Sequence, residues 1–251
     1  MKRAKIVSTF FVIATFVLSI ATFATAQVDG LDADKLHLTD EQLQALGGIL
    51  EEFNQKQLDL TTQIEVKFID LRKELRKEGR FDTKIKETLS SRQANKLVTD
   101  ISSLHGQLMR VRVEYLLKAK NVLNEEQRRL VVSSLEFDDD AFEEDVPDIF
   151  GQDLLMLPLD LTTEQIKKIL KHQTDMEINS LKINMKILYQ LLDLKNEIVL
   201  DTPDEAKLDK AILTIVDLGN QLLGNRVKHF LKSKDVLTPA QKQRLIHALV
   251  I

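Results

Sequence analysis

Two stretches decide how this chain folds: Glu114–Leu130, "EYLLKAKNVLNEEQRRL", and Lys228–Leu245, "KHFLKSKDVLTPAQKQRL". They align residue for residue through Leu123 and Leu237, with one residue of slack after the glutamine. Each contains a five-residue pattern, "LNEEQ" from Leu123 and "LTPAQ" from Leu237. Two more copies stand upstream, "LTDEQ" from Leu38 and "LTTEQ" from Leu161. Each half of the chain therefore opens with one copy and closes with another. We read this as an internal duplication of about 100 residues per unit.

The pattern has a local physical reading. Thr39, Asn124, Thr162 and Thr238 are suited to be helix N-caps, and Gln42, Gln127, Gln165 and Gln241 follow three residues later. That is a capping box: the cap oxygen accepts from the third amide, and the glutamine reaches back to the cap amide. Pro239 fits the first helical position, where no N–H is needed. Leu38 and Leu161 can staple to Leu43 and Ile166 one turn in. Leu123 and Leu237 face Arg128 and Lys242 instead, so they are expected to pack into a helical bundle.

The rest of the chain agrees with helices. Of 251 residues only 8 are Gly and 4 are Pro, with no Cys or Trp. That composition disfavours a sheet protein rich in tight turns. Apolar spacing predicts long helices over about 40–78, 83–122, 163–200 and 203–235, and short ones from Glu125 and Pro239. Thr202, Pro203 and Glu205 are read as cap, first and third positions of the fifth helix. The fold expectation is all-α: two tandem units, 27–135 and 160–251, each a long antiparallel hairpin with a short capping helix. Thin hairpins bury little core alone, so packing of the two as an intrachain pseudo-dimer, or of copies of the chain as a homo-oligomer, is expected.

Two segments stand apart. Residues 1–26 carry Lys2, Arg3 and Lys5, then an uncharged apolar run ending in Ala24-Thr25-Ala26, the features of a cleaved secretory signal. An uncleaved inner-membrane anchor is the alternative, since the run is long enough to span a bilayer. Removing it would take the formal net charge from −4 to −7. The excess of acid lies in "EFDDDAFEEDVPDIFGQD", residues 136–153, with nine acids and no Lys or Arg. Residues 136–159 read as a solvated linker between the halves. The near-neutral remainder argues against a nucleic-acid partner.

Paired L-T-x-x-Q motifs bracketing about 80 helical residues behind a signal peptide resemble the Spy/CpxP family. The long helices look most like its heavy-metal-sensor branch, the CnrX- and ZraP-like proteins. The resemblance covers about 38–135 and again 161–250, and departs from the usual single unit in having two. It implies a periplasmic, stress-linked helical protein. On the Spy-like side this is an ATP-independent chaperone binding partly folded envelope proteins; on the CpxP-like side it is an adaptor docking on a sensor kinase's periplasmic domain. The surfaces singled out are "RVRVEYLLKAK" and "RVKHFLKSK". The CnrX-like branch implies an alternative, a sensor or resistance protein for divalent transition metals. A membrane-anchored structural helical protein is a second alternative.

The metal alternative rests on few residues. His229 holds one position of that branch's ligand pattern, while Ser233, Tyr115 and Ala119 hold the others. His37 stands alone before the opening motif, where the branch has a His pair. His105 with Met109, and His172 with Met176, lie four apart on one helical face. His and thioether donors suit copper or nickel, but a pair is short of a site and Met at helical spacing is usually core. No metal or other cofactor is therefore expected. No Gly-rich phosphate loop, thiol nucleophile or zinc-protease motif is present, so the chain reads as a binding protein without enzymatic chemistry.

Overall fold

A computed structural model describes residues 36–76, 84–133, 155 and 157–248. The proposed signal segment and most of the acidic linker lie outside these. The described residues form an all-α fold of six helices: α1 Asp40–Arg76, α2 Lys84–Val122, α3 Glu125–Ser133, α4 Thr163–Val199, α5 Glu205–Asp235 and α6 Pro239–Ala248. The motif copies start α1, α3, α4 and α6, as the capping reading requires. α1 runs without interruption through Gly47-Gly48. The fifth helix begins two residues later than the Pro203 reading. Asp204 is its cap: the Asp204 carboxylate accepts from the Ala206 amide at 2.9 Å, and the Asp204 amide donates to Glu197 at 2.7 Å. A carboxylate beside the first free amides outcompetes a threonine two residues back.

The duplication holds at the level of packing. α1 and α4 are both 37 residues long. Aligned from Leu38 and Leu161, their buried positions coincide: Leu46 with Ile169, Ile64 with Ile187, Phe68 with Leu191, Leu71 with Leu194 and Leu75 with Ile198. Even a buried acid recurs, Glu74 with Glu197. α2 and α5 match likewise, Ile101 with Ile215, Leu108 with Leu222 and Val113 with Val227. Each such side chain contributes about 1.5–3 kcal/mol by leaving water.

The compact units cut across the repeats. One unit combines α1 up to Thr61, α2 from Gly106 onward, α3, and Gln190–Leu213. The other combines Thr62–His105, α4 up to Tyr189, and the chain from Thr214. Each unit therefore joins the motif end of one half to the helix-turn end of the other. In the first unit α1 and α2 are antiparallel: the Phe53 and Tyr115 rings lie 5.8 Å apart, and Lys56 and Glu114 approach to 4.0 Å. In the second, Lys67 pairs with Asp100 at 3.4 Å, and Asn225 donates to the Met176 carbonyl at 3.0 Å.

A lysine stitches each unit. In the first, buried Lys120 donates to the carbonyls of Ile198, at 2.9 Å, and Leu200, where α4 ends. In the second, Lys234 donates to the Leu75 carbonyl at 2.8 Å, where α1 ends. Lys120 and Lys234 are equivalent in the repeat alignment, as are Ile198 and Leu75. A cation at a helix C-terminus satisfies carbonyls that have no intrahelical partner and complements the helix dipole. Burial and nearby Arg128 push the Lys120 amine below its usual value, against the opposing pull of Asp201.

Candidate functional site

All four capping boxes form. The cap amides of Thr39, Asn124, Thr162 and Thr238 donate to the Oε1 atoms of Gln42, Gln127, Gln165 and Gln241 at 2.9–3.0 Å. The return bonds, from each glutamine amide to the cap oxygen, are 2.9–3.3 Å. The structure adds a contact that explains why copies come in pairs. Gln42 Nε2 donates to Gln127 Oε1 at 2.9 Å, and Gln127 Nε2 to Gln42 Oε1 at 3.2 Å. Gln165 and Gln241 do the same at 2.8 and 3.1 Å.

Each side chain is then used at both ends. Gln42 also donates to Val122, and Gln165 to Val236. Gln127 donates to the Leu36 carbonyl, and Gln241 to those of Leu159 and Asp160. A capping box accepts Glu as readily as Gln, whereas this clasp needs a donor on each partner. Leu36 and Leu159 are buried, and the residues after them, His37 and Asp160, adopt left-handed φ of 44° and 51°. The opening motif is thus longer than five residues: it begins two residues earlier, with a buried Leu and a backbone twist. Leu38 and Leu43 both pack around Leu36, and Leu237 is buried.

The surfaces singled out in the sequence are mostly interior. Val113, Tyr115 and Ala119, and Val227 and Phe230, are buried. Tyr115 carries Lys118 and Lys56 ammonium groups 4.2 and 5.0 Å from its ring centre, and its hydroxyl lies 3.2 Å from a Glu52 carboxylate oxygen. Hydrogen bonding to Lys118 holds the Glu114 carboxyl below its usual value.

Of the weak metal candidates, Met109 is buried core, and His105 meets Phe68 edge-on with ring centres 6.3 Å apart. The structure brings His172 and His229 together, 6.5 Å between ring centres. His229 is buried, and its Nδ1 has no hydrogen-bond partner among the described residues. Burial, then Lys232 and Lys228, push its imidazole below the usual value, while Asp175 opposes. Met176 offers its carbonyl to Asn225. Among the described residues no group of three or more His, Cys, Asp or Glu is placed to hold a metal ion.

The feature that sequence reading missed is the outer face of α4. Ile166, Leu170, Ile178, Leu181, Met185 and Tyr189 are 36–64 % exposed, and of these Ile178, Met185 and Tyr189 lie on the side opposite buried Ile169 and Ile187. Lys167, Lys168, Lys171, Lys182 and Lys186 are exposed among them. Periodicity alone placed α4 correctly, but a helix apolar on two sides gives no signal for which side the core takes. The repeat was the available clue. The equivalent α1 positions are Gly47 for Leu170, Gln55 for Ile178 and Thr62 for Met185, while Leu43, Leu58 and Val66 keep apolar side chains opposite Ile166, Leu181 and Tyr189, so the outer face of α4 is the more apolar of the two. On α1 that side is a shallow groove of about 380 Å³ lined by Gly47, Leu50, Glu51, Asn54, Gln55 and Leu58.

Among the described residues no helix is long and apolar enough to cross a membrane. No family model, curated protein or solved structure matches the chain.

Proposed function

We propose that this protein is a periplasmic, ATP-independent chaperone or envelope-stress adaptor, a tandem two-unit relative of the Spy/CpxP type. It would hold partly folded proteins against the outer face of α4. One observation carries this: large apolar side chains stand exposed along one long helix, two of them, Ile178 and Met185, at positions where the duplicated helix has the polar Gln55 and Thr62. Exposed apolar surface beyond the needs of folding marks an interaction site. Interleaved lysines keep such a face solvated and let it meet segments of varied shape through long, adaptable stems.

The test is light scattering from an aggregating, unfolded client, with residues 27–251 added and no ATP. Suppression at near-stoichiometric ratio is expected. It should weaken in Ile178→Gln/Met185→Thr, which installs the first half's residues. Aggregation unchanged by the wild-type protein would sink the chaperone reading. The heavy-metal-sensor alternative is decided separately, by calorimetric titration with copper, nickel, cobalt and zinc.

A further inference from the structure

We infer that the α4 face between Glu177 and Tyr189 is also a self-association surface, covered by α4 of a second copy lying parallel and in register. This goes beyond the client-binding reading and stands without it.

Three observations carry it. First, Ile178, Leu181, Met185 and Leu188 follow a 3-4-3 spacing, the a and d positions of a heptad. Ile178 at one a position with Leu181 and Leu188 at d suits a two-stranded pair, with Met185 at the second a. Ile178, Leu181 and Met185 are 46, 64 and 52 % exposed, so the seam is open. Second, Glu177 and Lys182 take the g and e positions that flank this seam. In a parallel pair, g of one helix meets e of the following heptad on its partner. Both side chains are exposed, and neither has an ion-pair partner among the described residues. A two-fold pairing gives both copies the same Glu177–Lys182 contact. Third, the seam is absent from the duplicated helix, where Gln55, Leu58, Thr62 and Glu65 stand at the four positions. Tyr189, 60 % exposed, extends the seam by one more large side chain.

The experiment is sedimentation velocity on residues 27–251 over about a hundredfold range of concentration. We expect a reversible dimer. Ile178→Gln/Met185→Thr should weaken it at least about tenfold, with unchanged helical circular dichroism. Exposed-surface variants guard against misfolding: Glu177→Lys alone should weaken the dimer, and Glu177→Lys/Lys182→Glu should restore it. The chain has no cysteine, so Leu181→Cys should oxidise to a disulfide-linked dimer across the seam. A wild-type monomer throughout, or a dimer indifferent to Ile178→Gln/Met185→Thr, would overturn the proposal. So would a charge swap that fails to restore pairing, or a face that takes only foreign protein.

Discussion

Gln127 and Gln241 do more than end a capping box. Each is buried and holds two helix starts and a preceding carbonyl at once. Removing a cap oxygen, as in Thr39→Ala, should cost about 1 kcal/mol. Gln127→Ala should cost about 2–4 kcal/mol, because buried donors and acceptors are left unmatched. Gln127→Glu keeps the box but loses the donor to Leu36 and to Gln42, and should fall between them. Urea unfolding midpoints of the three variants order these effects. A second residue adds a pH dependence. The folded state favours neutral His229, so below about pH 6.5 the unfolded state binds more protons. Stability from this site is therefore full above the unfolded value and lost as pH falls through the lower, folded one. Comparing midpoints at pH 7.5 and 5.5, the wild type should lose more than His229→Gln.

At the scale of the element, the C-terminal ends of α1 and α4 depend on lysines that belong to the other half. Lys120→Met keeps the apolar stem and removes the charge-assisted bonds, so about 1.5–3 kcal/mol should be lost. Lys234→Met should likewise loosen the end of α1, where its ammonium meets the Leu75 carbonyl. Amide exchange in each variant should rise first at the end of the α4 or α1 helix it caps. The long helices were legible in sequence because apolar spacing, scarce Gly and Pro, and four capping boxes agree. The start of α5 was misread because Thr202-Pro203 and Asp204 are both plausible starts, and only the contact to Glu197 decides between them. The lysines and the glutamine clasp were illegible for another reason. Their partners lie 71–159 residues away, and no local pattern names a distant carbonyl.

On the scale of the whole chain, the duplication was legible and its packing was not. The repeat gives two halves, while each compact unit draws on both. Expressed alone, residues 27–135 should therefore lack partners that the structure supplies, among them the acceptors of Lys120 and the donor to Leu75. We expect that fragment to unfold without a sharp transition, and an equimolar mixture with residues 160–251 to regain helicity and cooperativity. If client and second copy share the α4 face, protection of a client per chain should also fall as protein concentration rises. The same aggregation assay run across concentrations reads this.

The lysine stitches also have a consequence in time. Leu75 is made early, yet the Lys234 that caps it follows 159 residues later, nearly at the end of the chain. Contacts of such separation close slowly, because loop entropy is lost before they are gained. A chain delivered N-terminus first must keep its first hairpin unfinished until the last helices arrive. The end of α1 then gains this cap only once α5 has been made.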